Sequence, residues 1–268
     1  MTQSISELNT ARPEAVALFV SDLHLQADMP ATAAAFLNFL KRHAIHARQL
    51  YLLGDIFEYW AGDDNLGDPF IQQVVQALKH LSNQGVELFW MAGNRDFLVG
   101  ADFAAASGAR LLPDPFILRQ HGKSFLISHG DQLCTDDVAY QQFRGMVRQP
   151  EWQSAFLARP LQERKKMIEQ MRIQSRQHQQ QQTSMIMDVN PEAVDSFVNH
   201  HQAQILIHGH THRPATHHID NGLRVVLSDW DCDHEPARGD WLALDQDNNL
   251  RRYHFDGNLE QEIKNRVS

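Results

Sequence analysis

The stretch AVALFVSDLHL (15–25) places an aspartate and a histidine directly after a short apolar run. The run has the length of a buried β-strand, and Asp22 and His24 are two residues apart, so in extended chain both side chains can project to the same side. In α/β sheets, ligands bind just beyond the carboxyl ends of the strands. The stretch therefore predicts a strand that ends in a ligand site, with other strand ends beside it.

Two more apolar runs in the first half end in similar residues. QLYLL (49–53) is followed by Gly54 and Asp55, and VELFWMA (86–92) is followed by GNRD (93–96). Segments with helical apolar periodicity lie between the runs. These helices are predicted over Thr32–Ala44 and Pro69–Ser82. The alternation favours a mostly parallel layer of strands covered by helices, which is the α/β class.

The second half predicts two hairpins. FILRQHGKSFLIS (116–128) turns at His121-Gly122, and THHIDNGLRVVL (216–227) turns at Asn221-Gly222, where we expect type I′ geometry. Further predicted elements are a helix after Pro191, a strand within ILIHGHTHRP (205–214) and a last strand pair within 241–255.

Five predicted strand ends carry side chains that can bind metal ions. They are Asp22 with His24, Asp55, Asn94, His129, and His208 with His210 and His212. Because oxygen and imidazole ligands occur here without cysteine, a pair of Mn²⁺, Fe or Zn²⁺ ions is favoured over a thiolate zinc site. Two adjacent cations need an anion between them, and Asp55, after a glycine that allows a tight turn, suits that bridge.

Each pattern has an ordinary structural explanation when it is taken alone. Gly-Asp is how many strands simply end, and GNRD could be a turn in which Asn94 and Asp96 bond their own backbone. The histidine-rich HGHTH (208–212) could be a hydrated loop. All of the patterns together, at successive strand ends, are better explained by one ligand site.

A segment without strand patterns runs from about residue 137 to 187. Residues 140–182 hold eight basic and three acidic side chains, a local charge of +5, whereas the whole chain has 24 Lys and Arg against 33 Asp and Glu, a net −9. The segment suits an anionic substrate or membrane surface. Its apolar side chains could line an acyl-chain groove or simply pack the segment onto the sheet. They are Phe143, Met146, Val147, Trp152, Phe156, Leu157, Met167, Ile168 and Met171.

The composition is that of an ordinary globular protein, with 43% hydrophobic and 21% charged residues. We expect a single domain over residues 1–268, with a helical insert at about 137–187. The negative net charge disfavours a general nucleic-acid coat binder, and the distant Cys134 and Cys232 favour free thiols in a reducing compartment. Neither a signal peptide nor an apolar run of ~20 residues is visible, so we expect a cytoplasmic location.

Five motifs of this chain together resemble the calcineurin-like metallophosphoesterases. They are SDLHL (21–25), LLGDIFEYWAGDD (52–64), MAGNRDF (91–97), SHGD (128–131) and IHGHTHRP (207–214). The resemblance covers most of residues 15–256. It implies a four-layer α/β/β/α sandwich with an inserted helical cap and a dinuclear metal centre. It also implies that Asp22, His24, Asp55 and His212 hold one ion, and that Asp55 bridges to a second ion held by Asn94, His129 and His210.

One position departs from the broad family. The asparagine motif usually continues with histidine, a candidate proton donor, whereas this chain has Arg95. Arginine stays protonated and cannot act as a general acid, but its planar fork can stabilise charge on phosphate oxygens. We therefore expect a leaving group that departs without protonation, such as a nucleoside monophosphate from a pyrophosphate linkage.

The motifs GNRDFL (93–98), HGDQLCTDD (129–137) and MDVN (187–190), with the basic insert, are similar to the branch of that family that hydrolyses UDP-2,3-diacylglucosamine in lipid A synthesis. That resemblance implies substrate contacts by Asn94, Arg95, Asp137, Arg172, Ser175 and His210, and catalytic roles for Asn94, Arg95 and His210. Gln179 and Gln182 stand where relatives have Asn and Lys, so the lysine role is not carried over.

The resemblance implies a hydrolase with two divalent ions, typically Mn²⁺, that cleaves the pyrophosphate to UMP and 2,3-diacylglucosamine 1-phosphate. The expected partners are this UDP-linked lipid and the cytoplasmic face of the inner membrane, where the protein would be peripheral, with no nucleic acid and no obligate protein partner. Two alternatives remain open. One is a phosphodiesterase or nuclease for soluble substrates, and the other is a non-catalytic scaffold, which should have lost ligands.

Overall fold

In a computed structural model of the chain, two β-sheets face each other and helices cover their outer faces. The structure describes residues 15–181 and 188–263, without the side chains of residues 174–181. The strands are β1 (Ala17–Val20), β2 (Gln49–Leu53), β3 (Glu87–Met91), β4 (Ala109–Leu112), β5 (Phe116–Gln120), β6 (Lys123–Ile127), β7 (Ile205–His208), β8 (Ala215–Ile219), β9 (Gly222–Val226), β10 (Asp240–Leu244), β11 (Leu250–His254) and β12 (Leu259–Ile263). The helices are α1 (Pro30–Arg42), α2 (Pro69–Asn83), α3 (Ala101–Ser107), α4 (Val138–Val147), α5 (Pro150–Leu157), α6 (Leu161–Gln181) and α7 (Pro191–His200).

The seven-stranded sheet has the order β12-β11-β10-β1-β2-β3-β4, and the five-stranded sheet has the order β5-β6-β7-β9-β8. Side chains alternate across β1, so Phe19 packs between the sheets while Leu18 packs under the helices of the larger sheet. On the other side of the molecule, Leu206 of β7 packs against Val194 and Val198 of α7. The expected four-layer α/β/β/α sandwich is confirmed.

The predicted central strands pair in parallel in the order β1-β2-β3, and both predicted hairpins form. The type I′ turn at Asn221-Gly222 is wrong, because neither residue has a positive φ. Gly222 is needed instead for close approach, since a Cβ there would collide with the carbonyl of Gln204. Three elements were missed, α3, β4 and β12. Helix α3 has only seven residues, and β4 and β12 are largely exposed and lack the continuous apolar runs of the buried strands.

Between β6 and α7, the helices α4, α5 and α6 form what we call the cap (Val138–Gln181). Several of its cations do not face solvent. Arg144 pairs with Asp131, Arg172 with Glu58, and the nearly buried Arg164 with Asp64. The surplus of +5 is therefore partly neutralised inside the protein. No helix in the described ranges is long and apolar enough to cross a membrane.

Arg164 fastens the cap to the sandwich. Its guanidinium donates to the carbonyl of Ala61, to Asp64 and, at 2.9 Å, to the carbonyl of Arg159, and only 2% of the residue is exposed. It therefore does not belong to a membrane-facing basic surface. Such a buried cation is costly to remove alone, because its acceptors lose their donors.

Replacing Arg164 with leucine should lower the free energy of unfolding by about 2–3 kcal/mol, because the buried carbonyl of Ala61 and the part-buried carbonyl of Arg159 lose their hydrogen bonds. Urea unfolding measures the change. The matched control is Lys166→Leu at an exposed position of the same helix, which should change stability by no more than about 0.5 kcal/mol. Equal stability of both variants would show that Arg164 does not anchor the cap.

Candidate metal centre and active site

Five of the seven predicted metal ligands adopt a left-handed backbone conformation. Their φ angles are 53° for Asp22, 47° for His24, 53° for Asp55, 67° for His210 and 54° for His212. Residues with a Cβ rarely adopt this conformation, which costs on the order of 1–3 kcal/mol each and persists only where the surroundings impose it. The backbone is therefore strained where the strand ends converge.

Hydrogen bonds between the strand-end loops impose this backbone. The amide of His24 donates to the carbonyl of Asp55 at 2.9 Å, and the amide of His210 donates to Asp22 Oδ2 at 2.8 Å. A Cβ at Gly209 would collide with the Asp22 carboxylate, so this close approach requires glycine. The loops are thus held against each other by contacts that position the ligand side chains.

Asp22, His24 and His212 form one compact group of ligand atoms. Asp22 Oδ1 lies 3.4 Å from His212 Nε2 and 4.0 Å from His24 Nε2, and the two Nε2 atoms are 3.2 Å apart. Two nitrogen ligands of one ion, each at ~2.1 Å, lie about 3.0–3.4 Å apart. The buried Asp22 Oδ1 has no hydrogen-bond partner within the described chain, which also fits a cation.

The second group contains Asp55, Asn94, His129 and His210. Asn94 Oδ1 lies 2.9 Å from His129 Nε2 and 2.8 Å from His210 Nδ1, and Asp55 Oδ1 lies 3.8 Å from His129 Nε2. Among the described acidic and histidine ligands, Asp22 is the carboxylate common to the two clusters, Asp22–His24–His212 and Asp22–Asp55–His129. Bridging by Asp55 stays a prediction.

Buried carboxylates dominate the electrostatics of this site. Burial opposes charge on His129, but Asp55 and Asp22 outweigh it and raise the pKa of His129 to about 9. Burial and the neighbouring His129 lower the pKa of His210 to about 3. Burial also opposes ionisation of Asp22, yet the close approach and charge of His212 hold the pKa of Asp22 well below its usual range. The negative charge of the buried carboxylates is offset mainly by neighbouring histidines. A site of this kind favours a bound cation, which would offset the same charge.

The ligand histidines are oriented by partners that the sequence analysis did not single out. These contacts are His24 Nδ1 with Glu58 Oε2 at 3.0 Å, His212 Nδ1 with Asp229 Oδ2 at 3.5 Å, and His129 Nδ1 with the carbonyl of Leu53 at 2.9 Å. Such partners fix the tautomer and the ring orientation of a metal-binding histidine. Position offered a signal, because Glu58 lies three residues after Asp55 and Asp229 follows the end of β9.

Asp96 joins two of the strand-end loops. Its carboxylate accepts the amides of Gly93 at 2.8 Å, Ile56 at 2.8 Å and Asp55 at 3.2 Å. Burial and the nearby Asp55 raise the pKa of Asp96 to about 6. Asp96 therefore bonds its own turn through Gly93 and also holds the loop after β2, whereas Asn94 points to the histidines.

A cavity of about 320 Å³ lies between these residues and the cap. Four of the six predicted substrate contacts line it, Asn94, Arg95, Asp137 and Arg172. His210 contacts Asn94 and stacks on Tyr140, which also lines the cavity, with ring centroids 5.8 Å apart. Ser175 lies in α6, but its side chain is outside the described residues, as is that of Gln179, and Gln182 is outside the description altogether.

The other end of the cavity is apolar. Five of the nine apolar side chains singled out in the insert line it, Phe143, Trp152, Phe156, Ile168 and Met171. The remaining four do not, since Met146 and Leu157 are exposed, Val147 is buried away from the cavity, and Met167 packs against the core. Groove lining and core packing therefore both occur, and Trp152, Phe156, Ile168 and Met171 do both, because they line the cavity and also pack on the core.

Glu58 links the first ligand group to the polar end of the cavity. Its Oε1 pairs with Arg172 and lies 3.5 Å from Arg95 Nη1, while its Oε2 contacts His24. Burial opposes its ionisation, but the hydrogen bond with His24 and the charges of both arginines lower the pKa of Glu58 to about 2. One carboxylate thus orients a candidate metal ligand and holds two cations at the cavity wall.

Comparison with known proteins agrees with this arrangement. The family model described as calcineurin-like phosphoesterase matches residues 16–214. A "UDP-2,3-diacylglucosamine hydrolase" of Chromohalobacter salexigens is 47% identical over 234 residues, covering 86% of this chain and 93% of the relative. A relative of the same name from Serratia proteamaculans is 51% identical over 217 residues, covering 80% of this chain and 90% of the relative.

Among solved structures, Vacuolar Protein Sorting 29 from Cryptosporidium parvum has a TM-score of 0.50 at 13% identity, covering 92% of this chain and 97% of that one. This likeness concerns the fold alone. It places the two-sheet sandwich among known architectures.

Glu58→Gln should weaken metal binding about 10–100-fold, because a neutral amide holds the Nδ1–H of His24 less strongly than the carboxylate does and fixes the ring less firmly. Metal content after equilibration with graded chelator measures the affinity. The control is Glu87→Gln, a surface carboxylate paired with Arg110. Unchanged metal affinity, with melting of the metal-free protein also unchanged, would contradict the orienting role.

Proposed function

We propose that this chain, a hydrolase that belongs to the calcineurin-like phosphoesterase family, cleaves the pyrophosphate bond of UDP-2,3-diacylglucosamine to UMP and 2,3-diacylglucosamine 1-phosphate. The observation that carries the proposal is one cavity in which candidate metal ligands and two arginines meet an apolar lining. The names of the relatives support the same substrate. In this proposal the chain acts as one domain, and the cap forms part of its active site.

The members of this family use divalent metals, and the donor set of oxygen and imidazole atoms supports two Mn²⁺ ions in this chain. The residues that would hold them are Asp22, His24, Asp55, Asn94, His129, His210 and His212. Bound ions of this kind polarise phosphoryl oxygens and make water nucleophilic near neutral pH.

Arg95 and Arg172 would bind the pyrophosphate beside Asn94. Both cations already pair with Glu58, which keeps them at the cavity wall in the absence of substrate. Substrate phosphate oxygens can accept from the free guanidinium donors, and Arg95 then stabilises charge that develops on phosphorus without giving up a proton. Attack by water at the phosphorus next to the uridine would form UMP and release 2,3-diacylglucosamine 1-phosphate, a phosphate monoester whose departure needs no general acid.

The apolar end of the cavity would take the acyl chains. Burying them against Phe143, Trp152 and Met171 contributes roughly 25 cal/mol per Å² of apolar surface removed from water. This lining favours the lipid substrate over a small soluble phosphodiester, which would leave the apolar walls in contact with water.

We also propose that the cap faces the cytoplasmic surface of the inner membrane. Four of the six large apolar side chains exposed in the described part of the chain lie on it, Val138, Met146, Leu157 and Ile173. Lys165 and Lys166, in α6 of the cap, add positive charge. Exposed apolar residues flanked by cations are typical of proteins that lie at an anionic lipid surface.

With Mn²⁺ and UDP-2,3-diacylglucosamine, mass spectrometry should show UMP and the lipid phosphate in equal amounts. Arg95→Ala should lower turnover by about 10²–10³ at unchanged metal content, because one charge-stabilising donor is lost. Arg110→Ala, at an exposed arginine, is the control. Cleavage of a cyclic nucleotide without release of UMP from the lipid would favour the soluble-substrate phosphodiesterase instead.

Trp152→Ser should raise KM for the diacyl substrate and leave hydrolysis of a soluble aryl phosphodiester nearly unchanged, because Trp152 lines only the apolar end. Steady-state kinetics on both substrates measure the two effects. Ala155→Ser adds the same hydroxyl at an exposed position of α5 and should change neither reaction. Equal losses on both substrates would mean that Trp152 supports the whole site.

A further inference from the structure

A second cavity, of about 230 Å³, lies on the outer face of the five-stranded sheet and shares no lining residue with the first. Arg224 of β9 and His217 of β8 lie directly opposite each other in the antiparallel pair and therefore on the same face. Thr211 and Arg213, from the loop after β7, and Asp188, before α7, complete the polar part of the wall.

Arg224 lacks a full set of partners although it is nine-tenths buried. Its Nη1 has no hydrogen-bond partner in the ranges that the structure describes, and the nearest carboxylate oxygen, Asp188 Oδ1, lies 3.7 Å away. Asp188 is already engaged, because its Oδ2 accepts from Arg213 at 2.8 Å and its Oδ1 accepts from the amide of Val189 at 2.8 Å. Burying a guanidinium with an unsatisfied donor costs free energy unless another acceptor is present.

A second donor in the same cavity is also unsatisfied. Thr211 Oγ1 is buried and has no hydrogen-bond partner among the described residues. The lining carries two arginines against one aspartate, so its formal charge is +1 with His217 neutral. Burial, and after it the charge of Arg224, lower the pKa of His217, so this side chain is neutral near pH 7.

We propose that this cavity binds a phosphate-type oxyanion, held by Arg224 and Thr211. A guanidinium presents paired donors that match two oxygens of such an ion, and the hydroxyl supplies a donor to a third. The anion could be free inorganic phosphate or the phosphate group of a nucleotide, because both offer the same oxygens. The site does not depend on the proposed hydrolysis, since none of its residues belongs to the candidate metal centre.

Calorimetric titration of the Mn²⁺-loaded protein with inorganic phosphate, in chloride buffer, tests the proposal. The wild type should show a binding event beyond any at the metal centre. Arg224→Met should weaken that event roughly ten-fold or more, and Thr211→Val should weaken it several-fold, because each removes donors to a charged acceptor. Activity on the lipid plays no part in this readout.

Two controls match the two variants. Arg119→Met removes an exposed arginine from the same sheet, and Thr216→Val removes a buried hydroxyl from the opposite face of β8. Both should keep the wild-type phosphate affinity. If Arg224→Met does not fold, the comparison of Thr211→Val with Thr216→Val decides the question by itself.

Phosphate affinity that is the same in the wild type and in Thr211→Val and Arg224→Met, or a single event at the metal centre, overturns the proposal. Parallel titrations with UMP and uridine identify the source of the anion. A nucleotide site predicts that UMP, but not uridine, competes with phosphate and loses affinity in the same variants. A free-phosphate site predicts that UMP does not compete there.

Discussion

The close approach of the strand-end loops around the Asp22 carboxylate is the constraint on which the site depends. One oxygen of Asp22 accepts the amide of His210 and the hydroxyl of Ser21, and the other is left facing His24 and His212. The backbone carbonyl of the same residue accepts the amide of Trp230. Residues far apart in sequence are therefore fixed relative to one side chain at the edge of both sheets.

This arrangement stores unfavourable energy of two kinds. Left-handed backbone at five non-glycine residues costs conformational energy, and buried like charges cost electrostatic energy. The surrounding hydrogen bonds and the well-packed sheets below must offset both. Such strain is common at functional sites because a relaxed loop could not present several polar side chains towards one point.

The sequence predicts the central strands, both hairpins and the α/β class because apolar periodicity and strand-end polar residues report burial directly. It does not predict the turn at Asn221, whose geometry depends on the approach of Gln204 to Gly222. It also misses Glu58 and Asp229, because their positions just after strands do not distinguish a carboxylate that orients a histidine from one that simply ends a strand. Only the folded chain shows which acidic residue lies beside which imidazole ring.

In the cap, too, the sequence alone does not show which basic side chains face outward. A count of basic residues treats all of them alike, whereas the fold divides them by what they face. Arg144 compensates the buried Asp131 and Arg164 is buried against the loop after β2, so neither contributes to an outer surface.

The cations that turn inward instead tie the cap to the walls of the candidate active site. Arg148 donates to the carbonyl of Gly93 at 2.8 Å, and Arg172 pairs with Glu58 next to His24. The position of the cap is thereby coupled to the loops that carry the candidate ligands. A cap attached in this way brings its apolar lining beside the polar end of the cavity, because the same cations serve both attachment and charge compensation.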